Sequence, residues 1–279
     1  MNKYLLALAI TTALSSNYAL AAEEIDMSSP TEAYTALGAG YGNKGVSLKA
    51  MYTLSSADSN RKSGLIFEAN DIFDQEGGDP QFSGIKSGVM TMDGETTNTN
   101  YRFRYGSLDT TNGLGHMVDA VVKDHPFFGQ MAIVQAGALA TIPVGENGYI
   151  WPVILVGGVI MEDNFSDTTG AAAGLPESVT NLSSSGVDIA STVFTTKIYA
   201  RYKFNETWWL LGSWSYTDEI NGKSWNESIA EGGLQISPQQ IELTLGYQLT
   251  PTQNIRFNYH SYSDKGSSDK LWVEYNYAF

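Results

Sequence analysis

Six basic residues, Lys49, Arg102, Arg104, Lys197, Arg201 and Arg256, stand in stretches where the flanking alternate positions are apolar or aromatic. Residues two apart share one face of a β-strand, so each base is predicted to sit on a polar face that its own strand presents to one side. Glu68, Asp119, Glu242 and Glu274 fall on matching faces. The chemistry open to such a set is electrostatic. Facing a water-filled space, rings of charge select among solutes; facing a narrow, filled one, they neutralise each other as ion pairs. With Tyr199, the bases Arg102, Arg104, Lys197, Arg201 and Arg256 are expected to line a passage, with Glu242 and Glu274 orienting them.

The strands that would carry these side chains are read from strict alternation. "GVSLKAMYTL" opposes Val46, Leu48, Ala50, Tyr52 and Leu54 to Lys49 and its polar neighbours. "NYRFRYG" opposes Tyr101, Phe103 and Tyr105 to Arg102 and Arg104, and "TVFTTKIYARYKF" sets Ile198, Ala200, Tyr202 and Phe204 against Lys197, Tyr199, Arg201 and Lys203. "IELTLGYQL", "IRFNYHSY" and "LWVEYNYAF" repeat the pattern, the last running to the final residue. A soluble sandwich would turn the apolar faces to a core, and a membrane barrel would turn them to lipid. Period alone does not separate the two.

Composition and the chain's beginning narrow the setting, and aromatic residues near the ends of the apolar faces, such as Tyr101, Tyr202, Phe204 and Tyr247, favour the barrel. Lys3 precedes an apolar run from Tyr4 to Leu14, then "ALA" at 19–21, the pattern of a cleaved secretory signal over residues 1–21. Its apolar core is shorter than the roughly 20 residues a spanning helix needs, and the longest later candidate, 127–161, is broken by Pro143, "VGENG" and Pro152. With no cysteine, disulfide scaffolds and thiolate metal sites are excluded. A net charge of −14 argues against nucleic acid as a partner. Sparse charge with 16 tyrosines and 28 glycines suits an all-β chain with much of its surface out of water.

Loop lengths give a second signal. Counting back from the C-terminus, "TPTQ" (250–253), "NET" (205–207) and "PVGENG" (143–148) are tight, whereas 71–96, 162–190 and 219–238 are long, polar and acidic. Short turns on one side and long loops on the other is the outer-membrane barrel rule. The tail "VEYNYAF", with Val273, Tyr275, Tyr277 and a terminal Phe279 at alternate positions, resembles the closing strand of Gram-negative outer-membrane β-barrel proteins. That resemblance implies an antiparallel up-and-down barrel over residues 22–279 and localisation in the outer membrane. It also implies recognition of Val273, Tyr275, Tyr277 and Phe279 by the barrel-assembly machinery, and contact with outer-membrane lipid and lipopolysaccharide. Twelve strands are expected, centred on 32–42, 45–55, 62–70, 98–107, 115–124, 127–142, 147–161, 191–204, 206–218, 239–249, 253–263 and 269–279, with ten or fourteen as alternatives. The region 225–237 is left as a loop excursion or as an extension of its neighbours.

Other constellations carry less. Outer-membrane lipid hydrolases place His and Ser two residues apart. Here His116, His125 and His260 are followed at that distance by Val118, Phe127 and Tyr262. His260 adjoins Ser261, but neighbouring strand residues face opposite ways. The acidic stretch "NDIFDQEGGDP", with Asp71, Asp74, Glu76 and Asp79, lacks the spacing of a helix-loop-helix calcium site and reads as solvated charge. The segments 127–141 and 149–161 are apolar on both faces and are expected to pack against an inward-folded loop, with passage or binding of a hydrophobic molecule, or contact with another subunit, as alternatives. No enzyme activity, cofactor or metal is expected. The function that follows is a passive channel for a small anionic or polar solute. The alternative is a closed structural or surface-interaction barrel, and a lipid-modifying enzyme ranks behind both.

Overall fold

The computed structural model describes residues 25–55, 59–72, 81–86, 89–93, 99–125, 129–162, 187–222, 239–263 and 269–279. The signal segment 1–21, the region 225–237, most of the acidic stretch (Asp74, Glu76 and Asp79) and the loop tips at 181–186 and 266–268 lie outside them. In chain order the strands are β1 (Ala36–Gly42), β2 (Gly45–Thr53), β3 (Arg61–Ile72), β4 (Gln81–Lys86), β5 (Val89–Asp93), β6 (Asn100–Asp109), β7 (Leu114–His125), β8 (Gly129–Ala140) and β9 (Ile142–Val144). They continue with β10 (Gly148–Glu162), β11 (Val187–Lys203), β12 (Trp208–Gly222), β13 (Gln239–Thr250), β14 (Gln253–Tyr262) and β15 (Lys270–Ala278).

Twelve of these close into one antiparallel barrel. Each pairs with its sequence neighbour in the wall, β10 pairs with β11, and β1 pairs with β15 through Ala36↔Ala278 to Gly42↔Trp272. Closure leaves no strand edge with unsatisfied backbone groups, the condition for a sheet to stand in hydrocarbon. β9 continues the line of β8 past Thr141 and pairs with β10. β4 and β5 form a separate hairpin inside the loop between β3 and β6, where the sequence pattern predicts no strand.

Which face points out is fixed by alternation and burial together. Leu48, Val134, Ile154, Val156, Ile198, Leu243, Leu245, Phe257 and Val273 are exposed and form an apolar outer band. Aromatics flank the band at both ends. Tyr202–Phe204, Trp208–Tyr247 and Tyr277–Phe279 pack as ring pairs near the end that carries the tight turns. Phe67 stacks on Tyr101 toward the end that carries the long loops. An outward apolar band between aromatic girdles on a closed antiparallel barrel defines a transmembrane barrel of the outer-membrane type. The tight turns then lie on the periplasmic side, as do residue 36 and the C-terminus.

All twelve expected strand centres fall on barrel strands, with one difference at the start. The strand expected over 32–42 begins at Ala36, and residues 25–35 instead lie inside the barrel. Pro30 cannot donate to a ladder, and a turn at 26–29 carries the segment inward, with Ser28 N–H donating to Asp26 Oδ1 (3.1 Å) and Ser29 N–H to the Asp26 carbonyl (3.1 Å). Met27, Tyr34, Ala36 and Ala278 make a buried apolar seat with Ile25 and Met51 against it.

Candidate functional site

The inner wall is the site that the sequence pattern points to. Its main cavity, about 450 Å³, runs from Asn43 and Lys44 at the outer rim down to Met27–Pro30 and Tyr34 of the N-terminal segment. This segment floors the cavity at its periplasmic end.

Charged side chains line the cavity as a chain of alternating sign that crosses strands. Arg104 on β6 contacts Glu68 on β3 at 2.7 Å. Glu68 contacts Lys49 on β2 at 3.3 Å, and Lys49 reaches Glu274 on β15 at 3.0 Å. Glu274 faces Arg256 on β14 at 3.7 Å. Two further pairs stand beside this chain. Arg102 grips Asp119 bidentately, Nε at 2.9 Å and Nη2 at 2.5 Å. Lys197 lies 3.5 Å from Glu242, which also accepts from Ser213 Oγ at 3.0 Å. Strand register explains part of the pattern: Lys49↔Glu68 and Arg256↔Glu274 are direct cross-strand partners, and such opposite-charge neighbours stabilise a sheet.

At the floor the wall holds the N-terminal segment through long-range contacts. Arg201 Nη1 donates to Asp26 Oδ2 at 2.5 Å and to Ser28 Oγ at 2.8 Å, and Lys203 reaches the same carboxylate at 3.1 Å. Arg256 Nη2 donates to the Met27 carbonyl at 2.9 Å and to Tyr34 Oη at 3.3 Å. Burial disfavours a charged Asp26, but the hydrogen bond from Ser28 and the nearby Arg201 and Lys203 outweigh it, so the carboxyl is held below its ordinary range. Three bases also lie over rings: Lys197 over Tyr199, Arg201 over Tyr149 and Arg256 over Trp209.

Every basic residue of the expected lining thus points inward: Arg102, Arg104, Lys197, Arg201 and Arg256, with Tyr199, Glu242 and Glu274 among them. Each of the five, and Lys49 with them, has an acidic partner within 4 Å. Alternation finds the inward face and four of these acids, Glu68, Asp119, Glu242 and Glu274, but not which base each one meets. It misses Asp26, Met27, Ser28 and Tyr34 altogether, because their burial depends on residues some 175 to 230 positions away. Lys203 was within reach, since it continues the polar face of Lys197 and Arg201. Val273, Tyr275, Tyr277 and Phe279 all face outward, with Phe279 at the periplasmic rim.

The remaining candidates separate. His260 is inward and hydrogen-bonded to Gln240 (3.2 Å) and Tyr262 (3.0 Å), while Ser261 takes the opposite face and offers it no nucleophile. His116 faces outward beside Tyr105, and the His125 side chain lies outside what the structure describes. Asp71 accepts from Lys270 Nζ at 2.6 Å across the outer end of the barrel.

No protein-family model matches this chain, and no curated relative does. Among solved structures, a NanC porin aligns at 9% identity over 88% of this chain and 98% of its own, with a TM-score of 0.42. A KdgM porin aligns at 7% identity over the same shares of each chain, with a TM-score of 0.44. The translocator domain of the autotransporter NalP from Neisseria meningitidis aligns at 9% identity over 98% of this chain and 93% of its own, with a TM-score of 0.42. Likeness at this level carries no argument about solute or activity.

Proposed function

We propose that this barrel is an outer-membrane channel for small polar solutes, closed at rest by its N-terminal segment and anion-preferring when that segment leaves. The observation that supports the reading is the double role of Arg201 and Arg256. With the segment seated, Arg201 is neutralised by Asp26 and Arg256 donates to the Met27 carbonyl. With it withdrawn, Arg201 and Lys203 lose their carboxylate and stand with Arg256 at the periplasmic mouth. Low-dielectric walls focus such a field on passing solutes. The segment pairs with no barrel strand before residue 35, so its release breaks side-chain latches and an apolar seat but leaves the barrel's strand ladder whole.

Planar-bilayer recordings test this. The intact chain should conduct rarely, and a variant lacking residues 25–33 should conduct steadily, with a reversal potential under a salt gradient that favours anions. Arg201→Ser in that deletion background should reduce the anion preference. Silence from both the intact chain and the deletion would instead support a closed barrel acting through its outer loops. Cation preference in the deletion would remove the role given to the arginines.

A further inference from the structure

Toward the periplasmic end, past Arg104 at the end of the charge chain, the inner wall becomes apolar. β8 and β10 turn Leu139, Trp151 and Val153 inward, and the N-terminal segment passes opposite them through Ala33 and Tyr34 without filling the space between. A separate cavity of about 110 Å³ remains. Gly106 opens it further, since a Cβ added there would meet nothing within 4 Å.

Two features point to an occupant of defined chemistry. Trp151 is 2% exposed, and its indole Nε1–H has no hydrogen-bond partner among the described residues. A buried donor is normally satisfied, because leaving it unpaired forfeits the hydrogen bond it made to water. The charges at the cavity's border are paired, Arg104 through Nη2 with Glu68 at 2.7 Å and Lys62 with Glu32 at 3.8 Å, although Arg104 Nε is a second buried donor without a hydrogen-bond partner among the described residues. A charged ligand would therefore find no free counter-ion here, whereas a neutral ligand with one acceptor would complete what Trp151 lacks. An apolar cavity of about 150 Å³ holds a molecule the size of benzene, so a cavity of about 110 Å³ takes a ligand no larger than that.

The geometry points to a binding site for a small uncharged molecule, no larger than benzene, that carries a hydrogen-bond acceptor for Trp151 Nε1. The site does not depend on whether the lumen conducts. It needs the N-terminal segment in place as one wall.

Ligand-observed NMR on the refolded intact barrel in detergent provides the test, with cyclopentanone as the acceptor-bearing probe and methylenecyclopentane, of the same shape, as its counterpart without an acceptor. Cyclopentanone should bind saturably and at least tenfold more tightly than methylenecyclopentane. Gly106→Leu fills the cavity from a position that has room, and should weaken cyclopentanone at least tenfold while the protein keeps its heat-modifiable gel shift. Trp151→Phe should erase the preference between the two probes. Uptake that never saturates, or that is unchanged in Gly106→Leu, is partition into the detergent and overturns the site. Equal affinity of the intact barrel for both probes overturns the role given to Trp151.

Discussion

If the N-terminal segment closes the channel as proposed, Asp26 is the residue on which closure turns, because a single carboxylate serves both Arg201 and Lys203. Its pKa is depressed when the segment is seated, so the latch is fully formed above the ordinary carboxylate range. It is lost as pH falls below the ordinary carboxylate range and through the depressed value of the seated carboxyl. Acidification on that scale should therefore open the channel, and Asp26→Asn should open it at neutral pH and abolish the acid response. Because Asp26 is partly exposed, the expected effect is about 1 kcal/mol, or roughly fivefold in the ratio of seated to released segment. Bilayer open probability as a function of pH measures both, and an unchanged acid response in Asp26→Asn would place the switch elsewhere. Glu274 presents a different case. It is 4% exposed and joins Lys49 to Arg256, so Glu274→Gln leaves two cations in the wall without their shared partner. Removing one member of a buried pair costs about 3 kcal/mol or more, which should show as a lower temperature for loss of the compact band on SDS gels. Glu242→Gln, at a more exposed carboxylate, should shift that temperature less.

Among the elements, β12 and β13 show how a glycine can hold a functional side chain. A Cβ at Gly246 would run into the ring of Trp209, which is 2% exposed and lies beneath the Arg256 guanidinium. Gly246→Leu should therefore displace Trp209, lower folding stability by about 1–3 kcal/mol and loosen the Arg256 contact to Met27. Loss of Trp209 fluorescence shielding from acrylamide, compared with the parent barrel, would reveal the displacement. The elements themselves were legible in the sequence because a barrel wall repeats one instruction, apolar out and polar in, at a period of two. What period cannot carry is pairing. Register slips between Val46 and Leu48, Val159 and Ile160, Thr192 and Val193, and Gln248 and Thr250 set which inward charges meet, and no local pattern marks them. The same limit hid the N-terminal segment. "IDMSSPTEAYT" has no strand period, and its place comes from Arg201 and Arg256 rather than from its neighbours. The doubly apolar hairpin of β8 and β10 was legible as a surface needing a partner, expected to be an inward-folded loop and met instead by the N-terminal segment. That its inward face would meet residues 30–34, with a cavity between, depends on tertiary placement.

The molecule as a whole divides into a closed wall and a segment lodged within it, and the two should come apart experimentally. The wall is held by a continuous ladder, closed where β1 meets β15 over seven residue pairs and where β10 meets β11. Residues 25–33 contribute only side-chain latches, the Asp26 turn and part of an apolar seat. A variant lacking residues 25–33 should therefore refold, resist SDS until heated and keep its β-sheet circular dichroism. Removing 271–279 deletes nearly all of β15, leaves β1 and β14 with open edges in hydrocarbon and should abolish the compact band. Opposite results would reverse this assignment. A deletion of 25–33 that fails to fold would make the segment a structural core of the barrel and not a plug. Because the channel proposal needs the segment to leave an intact wall, gel mobility of the deletion should be measured before any conductance recording.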